Sequence, residues 1–95
     1  MARSGQVTVT TTGTAVQGTN QPGNRFALAA HPDNTDTIWV GNDDAGDVSS
    51  SNGFPLSPGA TVDPGSILEI IVSNLNELWV DADVGGEKLC WIRLN

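Results

Sequence analysis

The sequence predicts an all-β protein, a small antiparallel β-sandwich or jelly-roll-like barrel with a C-terminal β-hairpin. Three observations carry this. Short runs rich in Val, Ile, Thr and Trp are bounded by Gly, Pro, Asn and Asp, the residues that end strands and make turns. The run QVTVTTT at residues 6–12 alternates Val7 and Val9 with Thr8 and Thr10, the period of two that marks a half-buried strand. The third is an internal echo: TIWVGND at residues 37–43 matches ELWVDAD at residues 77–83, with Ile38/Leu78, Trp39/Trp79 and Val40/Val80 in register. Two strands with similar roles in one fold are expected there. With 95 residues the chain makes one domain, long enough to close one modest core. Residues 1–6 are expected to form a flexible polar arm and residues 7–95 a single β-sandwich domain.

Taken in order, the first strand covers residues 6–12 and ends at Gly13, with Ala15 and Val16 continuing it after a kink. GTNQPGN at residues 18–24 is a cluster of turn formers and therefore a loop. RFALAAH at residues 25–31 sets Phe26, Leu28 and Ala30 on one face, and Pro32 directly behind leaves no room for a helix. HPDNTD at residues 31–36 is a turn, in which Pro32 presets φ and Asp33 and Asn34 tolerate unusual backbone angles. The strand of Ile38, Trp39 and Val40 follows. An acidic, serine-rich excursion then runs to the Asn52-Gly53 dipeptide, suited to a tight turn with positive φ. Phe54 and Leu56 flank Pro55, which cannot donate to a ladder and so marks an edge. Pro58-Gly59 and Pro64-Gly65 bracket another edge segment at residues 60–63. SILEIIVS at residues 66–73 has two readings. Ser66 with Glu69 imitates a helix capping box, but the short length and the β-branched residues favour a buried strand. Residues 74–77 make a connector with room for one turn of 3₁₀ helix.

Gly85-Gly86 reads as a two-residue hairpin loop of the primed type, which sets the register of the last two strands. Val84 then faces Glu87, Ala82 faces Leu89, Asp81 faces Cys90, Val80 faces Trp91 and Trp79 faces Ile92. One face carries Leu78, Val80, Ala82, Leu89 and Trp91, a core. The other carries Trp79, Ile92 and Cys90, with Asp81, Asp83 and Lys88 towards the tip. A small sheet should not leave a tryptophan and an isoleucine bare, so a second apolar face of Trp39, Trp79 and Ile92 is expected. Two readings of it compete: cover by loops of the same chain, or a subunit or partner interface, where tryptophan is enriched. Stacking on a sugar ring is a third. Phe54 and Leu56 are further candidate anchors, with self-packing over the sandwich edge as the alternative.

Eleven acidic against 4 basic residues give a net charge of −7. The basic residues Arg3, Arg25, Lys88 and Arg93 are scattered along the chain and cannot neutralise a run of phosphates, which disfavours nucleic acid and anionic membranes. The acidic excess suits the outside of a nucleic-acid-filled particle better than its inside. Cys90 is alone, which excludes an intrachain disulfide framework and a thiolate metal cluster. No export signal or membrane anchor is expected, since the N-terminus lacks an apolar region and no apolar run approaches ~18 residues.

NDDAGD at residues 42–47 is acidic enough to suggest calcium but lacks the ligand spacing of a calcium loop, and reads as a solvated loop. His31, before a proline at a strand end, reads as a capping or surface residue. With one His and no nucleophile motif, no catalytic triad can be built, and no catalytic, cofactor-binding or metal-binding residue is assigned.

The order of these signals resembles that of small β-sandwich structural proteins of tailed phages, of the capsid decoration or cement type. The resemblance rests on the VTVTT strand, the aromatic-aliphatic strand near Arg25, IWVGNDDAGDVSSSNGFPLSPGATV and the ending NLNELWVDADVGGEKLCWIRL. It spans most of residues 7–94, and its motifs are structural rather than catalytic. It implies a virion protein on the outer capsid surface, made in the host cytoplasm, a homo-oligomer (dimer or trimer) that binds the major capsid protein and resists internal DNA pressure by contacts alone. The acidic excursion at residues 43–47 is longer than in many such sequences, which leaves open whether it faces solvent or capsid. Two other readings stand beside this one: a carbohydrate-binding or fibre-associated adhesion module, and a head–tail or tail accessory subunit.

Overall fold

Alternation of apolar and polar side chains decides which residues face inward, and among the described residues eight strands in two sheets follow from it. The computed structural model describes residues 3–41, 48, 53–58 and 67–95. The strands in chain order are β1 (Ser4–Val9), β2 (Val16–Gln17), β3 (Arg25–Ala30), β4 (Ile38–Gly41), β5 (Phe54–Leu56), β6 (Ile67–Ile71), β7 (Trp79–Ala82) and β8 (Glu87–Arg93), with one 3₁₀ turn at Leu75–Glu77. The first sheet has the order β1-β8-β3-β6 and the second β2-β7-β4-β5, with every pair antiparallel. This is the β-sandwich the sequence predicts.

The core forms between the sheets. The first contributes Val7, Val9, Phe26, Leu28, Leu89 and Trp91, and the second Ile38, Val40, Leu56, Val80 and Ala82. Each fully buried Leu, Ile or Phe contributes about 1.5–3 kcal/mol relative to exposure. The Phe26 and Trp91 rings meet edge-on, with centroids 6.1 Å apart and planes at 75°, the arrangement that suits their quadrupoles. Trp91 lies over Gly5, its partner on β1, where a Cβ would sit 2.9 Å from the indole.

The C-terminal hairpin does not form. β7 belongs to the second sheet, between β2 and β4, and β8 to the first, between β1 and β3. Val80 pairs with Val40 and Val16 rather than Trp91, and Cys90 with Gln6 and Ala29 rather than Asp81. Residues 83–86 carry the chain across the sandwich. Gly86, at φ 89°, donates its N–H to the Val9 carbonyl at 2.7 Å, and a Cβ on Gly85 would lie 2.8 Å from the Thr10 carbonyl oxygen. The glycines allow close approach to the end of β1, not a primed hairpin turn. The inward faces still come out as expected, because side-chain parity belongs to each strand separately. Leu78, Val80, Ala82, Leu89 and Trp91 are all buried.

Other expectations shift. Ser4, Gly5 and Gln6, expected in a flexible arm, are strand residues that pair with Ile92, Trp91 and Cys90. Val16 does not continue β1 but starts β2 in the opposite sheet. Residues 67–71 are a strand, as favoured over the helix, but an edge strand with Ile67, Glu69 and Ile71 exposed rather than a buried one. β5, with Pro55, is an edge as expected. The acidic loop at residues 42–47, Asn52 and the segment at residues 60–63 lie outside the described residues.

A capping box closes the 3₁₀ turn, while Ser66 lies outside the described residues. Asn74 Oδ1 accepts the Asn76 N–H at 2.9 Å, and Glu77 Oε2 accepts the N–H of Asn74 at 3.0 Å. Glu77 also accepts the Ser73 N–H and hydroxyl, each at 2.8 Å. Asn74 Oδ1 accepts the Gln21 N–H as well, so the turn anchors the loop before β3 over the buried Leu75.

At the other end, the turn at residues 31–36 is fastened to β8. Asn34 mimics a strand partner of Lys88: its Oδ1 accepts the Lys88 N–H at 2.9 Å and its Nδ2 donates to the Lys88 carbonyl at 2.8 Å. Glu87, only 5% exposed, accepts the N–H groups of Thr35 and Asp36. His31 Nδ1 accepts the Asp33 N–H at 3.0 Å, the capping role expected of it.

Removing the Glu87 carboxylate leaves two turn N–H groups without their partner. Glu87→Ala is expected to lose about 1–3 kcal/mol, read as a lower urea midpoint at unchanged m-value. The Ser73 hydroxyl, followed by the N–H groups of Asn74 and Ser73, holds the Glu77 carboxyl below its ordinary value against a small opposing effect of burial. Its folded pKa is depressed, so the stabilisation is complete above the unfolded value of about 4.3 and is lost as pH falls through the lower folded one. Carboxyl NMR should show Glu77 titrating below an unstructured glutamate, and Ser73→Ala should move it back up.

Candidate interaction surface

The outer face of the first sheet is built from the polar-parity positions of four strands. β8 presents Lys88, Cys90 and Ile92, β3 presents Ala27 and Ala29, β1 presents Ser4, Gln6 and Thr8, and β6 presents Ile67, Glu69 and Ile71. The registers set two rows across the face: Gln6, Cys90, Ala29, Ile67 and then Ser4, Ile92, Ala27, Glu69. The alanines on β3 leave a trough between the taller side chains of β8 and β6. It is a shallow apolar groove of about 280 Å³, lined by Ala27, Ala29, Ile67, Cys90 and Ile92. Ile67 is 73% exposed, Ile71 84% and Ile92 42%. Arg25 Nε stands 3.8 Å from Glu69 Oε1 at the rim, an exposed ion pair worth about 0–1 kcal/mol.

Cys90 sits in the trough between Gln6 and Ala29. Burial pushes its thiol above the ordinary value, while a hydrogen bond with Gln6 and the charge of Lys88 act the other way. The thiol is therefore held neutral near pH 7.

The expected second apolar face of Trp39, Trp79 and Ile92 is not one surface. With β7 and β8 in different sheets, Trp39 and Trp79 lie on the outer side of the second sheet, and Ile92 and Cys90 on the outer side of the first. The tryptophans occupy neighbouring strands, Trp39 opposite Asp81 and Trp79 opposite Gly41. Both are partly buried, and Trp39 Nε1 donates to Asp83 Oδ1 at 3.0 Å. Beside them Asp81 is wholly buried, its Oδ1 accepting the Gly13 N–H at 3.1 Å and the Ala82 N–H at 2.8 Å. The turn after β1 thus lies beside part of this face, and both rings keep partial exposure. Leu56 is a fully buried core residue opposite Ile38, not a surface anchor. Phe54, of the same parity but at the start of the edge strand, is 53% exposed.

Sequence reasoning missed Ile67, Ile71, Ala27 and Ala29. The signal for the isoleucines was present: Glu69 lies midway between them at a spacing of two, so any strand exposing the carboxylate exposes both. The basic residues are also less scattered in space than in sequence. Arg3 and Arg93 line one polar depression of about 570 Å³ with Gln21, Asn24 and Ser73. Among the described residues no group of His, Cys, Asp and Glu could hold a metal ion, and no helix is long and apolar enough to cross a membrane.

The raised thiol makes a direct check on the trough. Cys90 is expected to alkylate more slowly than an unstructured peptide thiol at the same pH, and unfolding in urea should remove the difference.

No family model, no curated protein and no solved structure matches this chain.

Proposed function

We propose that the protein is a non-catalytic structural subunit of a tailed-phage particle, which decorates the outer capsid by docking the outer face of its first sheet on the major capsid protein. One observation carries the docking: in a chain of net charge −7, Ile67, Ile71 and Ile92 stand exposed on one sheet face around an apolar trough. Apolar patches rimmed by polar residues mark contact sites, and this one is rimmed by Ser4, Gln6, Lys88 and the Arg25–Glu69 pair. The phage context rests on the sequence resemblance, since fold alone does not name a function. The acidic balance is compatible with the side of a capsid away from its DNA.

Purified particles should contain the protein, and it should re-add to capsids stripped of it. The double variant Ile67→Ser, Ile92→Ser alters exposed side chains, which usually changes stability by no more than about 0.5 kcal/mol each, and should reduce re-addition at least about tenfold, equivalent to ~1.4 kcal/mol. Absence from particles would defeat the capsid reading. Unchanged re-addition by the folded variant would defeat the assignment of this face. A shift of Trp39 and Trp79 fluorescence by glycans would favour the adhesion module instead.

A further inference from the structure

Among the described residues the two sheets have four edges, and two are blunted. β2 is 2 residues long, β5 carries Pro55, and β1 turns Ser4, Gln6 and Thr8 outward. Short strands and proline are ordinary protections against edge-to-edge pairing, whereas the outward row of β1 is polar and uncharged, with no apolar side chains to match in a partner. β6 has 5 residues, Ile-Leu-Glu-Ile-Ile, without proline and with one charge. Among the described residues nothing pairs with its free side.

The backbone of that side is set by parity. The Val72 N–H donates to the Asn24 carbonyl at 3.2 Å, so at the end of the β3–β6 ladder Val72 faces β3. Alternation then turns Leu68 and Ile70 toward β3 as well, and points the N–H and C=O groups of Ile67, Glu69 and Ile71 to the free side. The same residues carry the exposed side chains of the outer face.

We infer that β6 pairs antiparallel with β6 of a second copy, about a two-fold axis at Glu69. The strand is a palindrome in polarity. In this register Ile67 meets the second copy's Ile71, Leu68 meets its Ile70, and Glu69 meets its own counterpart. The three outward-facing residues of each strand form hydrogen-bonded pairs, about six backbone bonds in all. An unrelated extended peptide could satisfy the backbone, but a second copy also sets apolar against apolar at every position except the central one. The two first sheets become one, and the row Gln6, Cys90, Ala29, Ile67 runs on into the second copy's Ile71. The central carboxylates oppose the pairing, since like charges directly across a ladder are unfavourable. Arg25, 3.8 Å from Glu69 in each copy, partly offsets them by flanking the carboxylate pair with a guanidinium on each side. The pairing stands on the edge itself, whatever the outer face docks on.

Sedimentation equilibrium on the full chain tests this. A monomer–dimer equilibrium is expected, tightened up to about fivefold by Glu69→Gln. Ile71→Pro removes an N–H that points away from β3, so it should keep the far-UV spectrum and abolish the dimer. Should that variant not fold, Ile71→Lys reads the same contact and should weaken the dimer at least about tenfold. A wild-type chain that stays monomeric at every concentration reached, or a dimer indifferent to these changes at residue 71, would overturn the inference. A monomer that still re-adds to stripped capsids would overturn it while leaving the docking proposal intact, and a dimer that fails to re-add would do the reverse.

Discussion

The chain crosses from one sheet to the other within residues 83–86, and the order of both sheets follows from that crossing. Had β7 and β8 formed a hairpin, they would have been neighbours in one sheet. Because they part, each becomes an interior strand with two ladders: β7 between β2 and β4, β8 between β1 and β3. Their apolar faces, Val80 and Ala82 on one and Leu89 and Trp91 on the other, then belong to opposite walls of a single core. An interior position gives each of these two strands a ladder on both sides and places its inward residues over the middle of the core.

A second crossing, from β1 to β2, lies beside the first and is tied to it. The Gly86 N–H bonds to the Val9 carbonyl, the Thr12 hydroxyl to the Ala82 carbonyl, and the Gly13 N–H to Asp81 Oδ1. Asp81 is thereby explained as a structural residue. It satisfies two backbone N–H groups where irregular chain lies beside the second sheet, although its Oδ2 is buried without a hydrogen-bond partner. A buried carboxylate is costly unless its acceptors are used, and here half of them fasten the two crossings together.

What could be read from the sequence was whatever depends on neighbours a few residues away. Period-two parity identified the inward residues of β1, β3, β4, β7 and β8. The Trp39/Trp79 echo marked two strands that do lie side by side with both rings on one face. Partner choice could not be read this way, because Gly85-Gly86 has the composition of a primed turn and also of a close approach to Thr10, and only the rest of the fold decides between them. Of the outer face, Cys90 and Ile92 followed from parity along β8. Ala27 and Ala29 carried no signal, since small residues at outward positions are ordinary until taller neighbours on both sides make them a floor. Ile67 and Ile71 read as buried from β-branching and short length, criteria that overlook the charge set between them.

The two outer faces end up different for a reason of scale. A domain of 95 residues has a high ratio of surface to volume and few loop residues to spend as cover. On the second sheet Trp39 is bonded to Asp83, and Asp81 lies beside the turn after β1. On the first sheet the described residues leave Ile67, Ile71 and Ile92 in contact with water. Each square ångström of such surface forgoes about 25 cal/mol that burial would return, so the uncovered face is the part of the molecule with most to gain from a partner. The net charge of −7 works against indiscriminate association of copies, while an edge whose side chains match their own reverse, and a trough with a polar rim, restrict where association is favourable. Attraction confined to one face and repulsion spread over the rest favours association at one place over indiscriminate association.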